Sequence, residues 1–282
     1  MPAITVVTTF HAVGYTKYGR RFIESFAQNV DPRIKLLVYA ENVKVDNPDP
    51  GRITIYDAEK KLHLLQDFKK EWKDVPKANG HPPPEIVARR PRDHHKAFKW
   101  DAVRFANKVY AVVDACARTQ KDWVVWIDAD TVFHSRWSYE EFLSQLPQDT
   151  WITYVGRGKG SQTWPECGFY GLNLNNKTCI DFIRKFEWMY EVAEEGIFTL
   201  EEWHDSYVFG HILNEMKKDF PNVHDYSADM YMREAKTGGG GHPLINGPLG
   251  KWIDHMKGNR KETGKSLAKD LIIKRTESYW ND

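Results

Sequence analysis

Trp123-Val124-Val125-Trp126-Ile127-Asp128-Ala129-Asp130 is a run of five apolar residues followed at once by two carboxylates around one small residue. A short, continuous, bulky run of this kind reads as a strand buried on both faces, as in a parallel sheet. In open α/β sheets ligands bind beyond the carboxyl ends of the strands. Two aspartates at such an end carry a desolvation cost unless something neutralises them. A divalent cation does so, and hard carboxylate oxygens suit Mg²⁺ or Mn²⁺. The competing reading is that one aspartate only caps a turn before Thr131-Val132-Phe133.

Outward from this run, strands and helices alternate. Ala3 to Thr8 is rich in β-branched residues and reads as a first buried strand. Tyr18 to Asn29 has helical apolar spacing, Ile34 to Tyr39 is a second buried strand, and Ile53 to Tyr56 is a short third one. Ala58 to Trp72 reads as helix, and the proline-rich stretch Val75 to Arg92 as a loop. Ala97 to Arg118 is the strongest helix, with Phe98, Ala102, Phe105, Val109, Val112, Val113 and Cys116 at steps of three and four. Trp151 to Val155 and Gly168 to Leu174 are further strands, and Asn176 to Glu195 and Glu201 to Lys218 further helices. The four glycines Gly238 to Gly241 read as a hinge or lid, and no internal repeat is visible. This alternation predicts one α/β layered domain with decorated loops.

The chain has 282 residues, 41% hydrophobic and 28% charged, enough apolar side chains for a sizeable core. No apolar run approaches the ~20 residues of a membrane helix, and Met1-Pro2-Ala3-Ile4-Thr5 does not show the basic-then-apolar pattern expected of a secretory signal. Cys116, Cys167 and Cys179 lack C-x-x-C spacing, which argues against a disulfide scaffold or structural zinc and fits a reducing cytoplasm. Forty basic against 39 acidic residues exclude a generally polycationic protein, but the charge is uneven. Seven Lys or Arg between Arg89 and Lys108 face two acids, and eight between Lys251 and Arg275 face three. These are either solvated faces or a surface converging on an anion, a phosphate-bearing donor or a nucleic acid. The eleven Trp residues carry little functional weight, since most Trp is core.

The basic tail holds His255-Met256-Lys257-Gly258-Asn259-Arg260-Lys261. An imidazole can complete a metal sphere, a glycine lets backbone approach a phosphate, and a lysine three residues on can bind it. With Asp128 and Asp130, these residues form a set that holds a cation, and the cation a diphosphate.

Asp128-x-Asp130 with His255-x-x-Gly258-x-x-Lys261 resembles the retaining GT-A glycosyltransferases, such as glycogenin and the bacterial lipooligosaccharide galactosyltransferases. The resemblance spans most of the chain through scattered motifs. It implies a GT-A, Rossmann-like, mixed but mostly parallel sheet flanked by helices. It also implies that Asp128, Asp130 and His255 bind Mn²⁺ (or Mg²⁺) on a nucleotide-diphospho-sugar, UDP-linked, and that Lys261 and Gly258 meet the diphosphate. Thr8, Thr9 and Phe10 fall where that family meets the nucleoside. Pro165 to Leu174 is similar to its sugar-lining segment, and Trp203-His204-Asp205-Ser206 is similar to a run in the blood-group transferases.

Two departures bear on chemistry. Glu166 stands where the glycogenin-like family has Asn, and Asp205-Ser206-Tyr207 replaces both Asp-Gln-Asp and the Asp-Glu of the blood-group enzymes. The position of the nucleophile proposed in the latter is therefore Ser206, which argues against double displacement and leaves same-face attack with retention. Asp205 and Glu166 are the candidate catalytic carboxylates, with a structural role the alternative for Glu166. Lys96 and Lys99 either reach a phosphate or form a solvated helix start, and His94-His95 lacks further metal ligands. The expected layout is a nucleotide-binding half (1–135), an acceptor and sugar half (136–237), and the glycine hinge with basic tail (238–282). The acceptor is open: a glycan, a lipid-linked glycan or another molecule, including nucleic acid. A sugar-nucleotide nucleotidyltransferase competes on the same fold, but Thr9 to Gly14 is a poor version of its glycine-rich loop. A nucleic-acid-binding protein competes from another class, and steep, metal-independent salt sensitivity is its signature.

Overall fold

Alternation of β-branched and aromatic runs with amphipathic helices builds a central sheet covered on both faces. The computed structural model describes residues 1–90, 97–159, 164–230 and 242–281. Strands β1 (Ile4–His11), β2 (Lys35–Glu41), β3 (Ile53–Asp57) and β4 (Trp123–Ile127) are followed by β5 (Thr131–Phe133), β6 (Ile152–Val155), β7 (Glu166–Asn173), β8 (His224–Asp225) and β9 (Ile253–His255). Seven of them form one mixed sheet in the order β3-β2-β1-β4-β7-β6-β8. Strand β7 alone runs against its neighbours, pairing antiparallel with β4 and β6, while the other pairings are parallel. Strand order reverses between β1 and β4, so the crevice at their carboxyl ends is the expected ligand position of such a sheet.

One face of the sheet is covered by helices 63–72, 102–119, 177–191 and 205–216, packed on Trp126, Tyr170 and Leu172. The other carries helix 20–29, helix 139–144 and the tail around Trp252, packed on Val125, Ile127 and Phe169. Burying each large apolar side chain contributes roughly 1.5–3 kcal/mol. Trp100, Trp123, Trp126, Trp137, Trp151 and Trp203 are almost fully buried, so the tryptophan surplus is largely core.

Several local expectations shift. The stretch Ala97–Trp100 is a 3₁₀ turn; Asp101 Oδ1 accepts from Arg104 N at 3.3 Å and caps the helix proper, Ala102–Thr119. That break moves Phe98 out of the helical stripe expected for it, and its side chain is 43% exposed. The proline-rich segment expected as loop contains a 3₁₀ turn at Pro76–Asn79 and a helix at Pro84–Arg89, where proline occupies a first-turn position that needs no N–H. Helix Tyr139–Ser144, not expected, begins with a reciprocal cap between Ser138 and Glu141, a signal present in the sequence. Strands β5 and β9 are three residues each and form a separate antiparallel pair. The glycine run Gly238–Gly241, the pair His94-His95, and Lys96 lie outside the described residues.

Candidate functional site

The β4 ladder runs one residue past the strand, because Asp128 N donates to Gly168 O at 3.0 Å. Thr131 N then donates to Asp128 O at 3.1 Å, closing a tight turn that leaves Asp128 and Asp130 at the carboxyl end of the sheet. Strand β5 next pairs with β9 in a register that sets Thr131 opposite His255, and Met256 N donates to Asp130 O at 2.9 Å. This register delivers a histidine from 125 residues away. His255 Nε2 lies 3.0 Å from Asp130 Oδ1 and 3.5 Å from Asp128 Oδ2.

Two lysines flank the trio. Lys261 Nζ is 2.6 Å from Asp130 Oδ2 and 5.2 Å from the ring centre of Tyr18, which sits in a π-helical turn, Tyr15–Gly19, after β1. Such turns recur at functional sites. Lys108 is almost fully buried in the middle of helix 102–119. Its Nζ lies 2.8 Å from Asp128 Oδ1 and 2.5 Å from Asp205 Oδ2, and donates to Cys167 O at 2.8 Å. Trp126 Nε1 also donates to Asp128 Oδ1, at 2.7 Å. Asp205 is buried at the first position of helix 205–216, behind the N-cap His204. Glu166, buried at the start of β7, is paired with Lys257 and with Arg157 Nη1 at 3.1 Å.

The charges are strongly coupled. Burial alone works against the Asp130 carboxylate, but His255 and Lys261 override it and hold Asp130 below the usual carboxylate range. Burial likewise opposes charge on His255, and Asp130, Asp128 and Glu166 outweigh it, so the imidazole is held above its ordinary value. Glu166 is kept well below its ordinary value against burial by Lys257 and Arg157. Lys108 stays charged above the usual lysine range because Asp128 and Asp205 overcome its burial.

The donor set fits a single divalent cation. One oxygen from each aspartate and one imidazole nitrogen lie within 4.8 Å of one another. Metal–ligand bonds of about 2.0–2.3 Å allow three such atoms to share one ion. Two carboxylates and one imidazole suit Mn²⁺ or Mg²⁺ better than a soft-metal site.

Of the residues expected at the site, Asp128, Asp130, His255, Lys261, Asp205 and Glu166 are joined by one network of ion pairs through Lys108 and His255. Gly258 has φ +56°, a conformation glycine adopts without strain, and open space where a Cβ would be. Thr8, Thr9 and Phe10 lie within β1, which extends to His11. Thr9 Oγ1 donates to Tyr39 O at 2.7 Å, Phe10 stacks on Tyr15 at 5.5 Å, and buried Thr8 Oγ1 has no hydrogen-bond partner among the described residues. Lys99 Nζ is 3.0 Å from Glu202 Oε1, in a buried cluster with Arg90 and His204 rather than beside the aspartates.

The residue sequence reading missed is Lys108. Its signal was a lysine interrupting the apolar stripe Phe105, Val112, Ala115 at helical spacing. The two basic stretches also resolve: Arg89, Arg90, Lys99 and Lys108 from the first, and Lys251, Lys257, Arg260, Lys261 and Arg275 from the second, each pair with a carboxylate of this chain. Of these, Lys108, Lys257 and Lys261 are directed toward the acidic site, and the others pair elsewhere on the fold. No described helix is long and apolar enough to cross a membrane, and all three cysteines are free and buried.

No protein-family model and no curated protein matches this chain. Among solved structures it is similar to the bifunctional glycosyltransferase WbbM in its apo form, at 14% identity over 79% of this chain and 38% of that one, with a TM-score of 0.42. It is also similar to mouse xyloside xylosyltransferase 1 in its apo form, at 10% identity over 79% of this chain and 84% of that one, also with a TM-score of 0.42. The chain therefore spans less than two-fifths of the WbbM chain.

Proposed function

We propose that this chain is a metal-dependent glycosyltransferase that moves a sugar from a nucleotide-diphospho-sugar to an acceptor with retention. The observation that carries the reading is the assembly of Asp128, Asp130 and His255 from two distant segments at the carboxyl end of β4, flanked by Lys261. The UDP assignment rests on the motif resemblance. When bound, Mn²⁺ or Mg²⁺ supplies Lewis-acid stabilisation of the leaving diphosphate.

The chain's own residues then divide the remaining work. Lys261 offers a positive charge to the diphosphate as negative charge grows on it, and Gly258 lets backbone N–H groups approach. Tyr18, beside Lys261, forms an aromatic wall after β1. Lys108 holds Asp128 and Asp205 in fixed orientation through one ammonium group. Asp205 and Glu166 accept hydroxyls of the donor sugar and set its anomeric carbon toward the acceptor. Asp205 shares its oxygen with an ammonium 2.5 Å away, which weakens it as a nucleophile and favours same-face attack by the acceptor hydroxyl. In this reading residues 1–135 bind the nucleotide, 136–237 the sugar and acceptor, and 238–282 close the donor site, in a reducing cytoplasm.

The test is a screen of UDP-sugars for Mn²⁺-dependent donor hydrolysis, which needs no knowledge of the acceptor. UDP release from one donor, lost in EDTA and in Asp130→Ala, is the expected result. Absence of release from every UDP-, GDP- and CDP-sugar in Mn²⁺ and in Mg²⁺ overturns the proposal.

A further inference from the structure

His255 belongs to two clusters at once. Its Nε2 faces Asp128 and Asp130, while its Nδ1 lies 2.9 Å from His242 Nε2 and 3.9 Å from Glu166 Oε1. The second cluster could itself be taken for a metal site, since Glu166, His242 and His255 also bring three ligand atoms within 4.8 Å. Its surroundings argue otherwise. Around Glu166 one carboxylate faces Lys257 and Arg157, a net positive set that repels a cation, whereas Asp128, Asp130 and Asp205 outnumber Lys108 and Lys261 at the first cluster. The 2.9 Å separation of the two imidazole nitrogens is that of a hydrogen bond sharing one proton.

An imidazole that ligates through one nitrogen must carry its remaining proton on the other, and the partner of that proton fixes the tautomer and ring orientation. Here the partner is His242. With Nε2 of His255 turned to the two aspartates, its proton sits on Nδ1, and His242 Nε2 at 2.9 Å is the acceptor that faces it. The backbone of His242 is itself held: Asn246 Nδ2 donates to His242 O at 3.0 Å and to Asp270 O at 2.9 Å. Strand β7 also lies against the His255 ring. A Cβ at Gly168 would stand 2.6 Å from His255 Cε1 and 2.7 Å from Nδ1, so only glycine lets the ring lie against that strand.

We propose that His242 and Gly168 are positioning residues that lock the His255 ring and its Nδ1–H tautomer, presenting Nε2 to the cation held by Asp128 and Asp130. This inference rests on the metal site proposed above and adds to it how the third ligand is oriented. Neither residue touches the ion. Both act through His255, one by accepting a hydrogen bond and one by leaving room.

The experiment measures Mn²⁺ binding to the full chain without nucleotide, by electron paramagnetic resonance of free Mn²⁺, for the parent, His242→Leu, His242→Gln and Gly168→Ala. Loss of an outer partner of a ligating histidine typically weakens metal affinity about 10–100-fold, which is the range expected for His242→Leu and Gly168→Ala. His242→Gln keeps an acceptor and restores most of the affinity. Nitrogen-15 spectra of the His255 ring in the metal-free protein provide a readout that a general packing defect does not mimic: the Nδ1–H proton, hydrogen-bonded to His242, exchanges slowly with water in the parent and in the Gln variant and rapidly in the Leu variant. Parent-like affinity and unchanged exchange of the His255 Nδ1–H in His242→Leu overturn this inference alone. A parent protein that binds no Mn²⁺ overturns the metal reading and this inference with it. Thermal melts identify a Leu variant that fails to fold, and the Gln variant and Gly168→Ala then decide the question.

Discussion

Replacing Lys108 with Met is the sharpest test of how the site is held together. The side chain keeps its unbranched shape but is one atom shorter and loses its charge, leaving Asp128 and Asp205 without the ammonium at 2.8 and 2.5 Å. Removing one partner of a buried ion pair costs about 3–5 kcal/mol. A second route to the magnitude is proton uptake. A carboxyl with an ordinary value near 3.9 that must be neutralised on folding costs 1.36 kcal/mol per pH unit above that value, about 4 kcal/mol at pH 7 and about 1.5 kcal/mol at pH 5. The two routes agree at pH 7, and the loss is a large part of a typical total stability of about 5–15 kcal/mol. In the parent protein Lys108 is held above the usual lysine range, so its contribution is complete below about pH 10.5 and is lost only as pH rises beyond that. Urea unfolding followed by tryptophan fluorescence, at pH 7 and pH 5, reads both quantities. The expected result is a deficit of about 4 kcal/mol at pH 7 that shrinks by more than half at pH 5, with Lys108→Met/Asp205→Asn more stable than the single variant at pH 7. A deficit under about 1 kcal/mol at pH 7, or one of equal size at both pH values, would refute the reasoning, since plain loss of packing has no such pH dependence.

Three further outcomes follow from the same geometry. Asp128→Ala or Asp130→Ala abolishes Mn²⁺-dependent UDP binding by calorimetry while the circular dichroism spectrum is unchanged; UDP binding indifferent to metal and to both substitutions contradicts the cation site. Asp205→Asn lowers turnover severely, whereas Ser206→Ala stays within roughly tenfold, about 1.4 kcal/mol of barrier. Proton NMR of the first-formed product then shows the anomeric configuration of the donor preserved, and an inverted product recasts Asp205 or Glu166 as a general base. Finally, burial pushes His134 down to about 4, against its stacking partner Tyr279 at 4.1 Å. A depressed value means the neutral ring contributes stability above about pH 6.5 that is lost as pH falls toward 4. Thermal melts across that range should therefore flatten in His134→Phe, and parallel curves for the two proteins rule the effect out.

Much of the architecture was legible because hydrophobic patterning is a local property. The strand Trp123–Ile127 and the helix ending near Thr119 follow from apolar run length and periodicity alone. Boundaries failed where a local hydrogen bond competed with the pattern. The Asp101 cap starts a helix five residues later than its apolar stripe suggests, and β1 continues three residues past Thr8 because its partner β2 continues beside it, pairing Phe10 with Ala40 and His11 with Glu41. Of the site, the acidic pair and the distant histidine were readable as residue types suited to a cation. Lys108 was marked only as a lysine on an apolar stripe, costly unless paired, and its partners Asp128 and Asp205 could not be read because they lie in other elements.

What the sequence by itself determined is the alternation that makes a layered α/β sheet, and the placing of two carboxylates directly beyond a fully buried strand. Those depend on residues adjacent in the chain, where burial and backbone geometry act over a few ångströms. Only the tertiary structure decided which charges meet. The β5–β9 register sets His255 against Asp130, helix 102–119 carries Lys108 between Asp128 and Asp205, and Gly168 leaves room for the imidazole ring. Pairing energies of buried charges fall off with distance and rise steeply as water is excluded. They are therefore properties of the folded packing, and a list of residues holds no record of them.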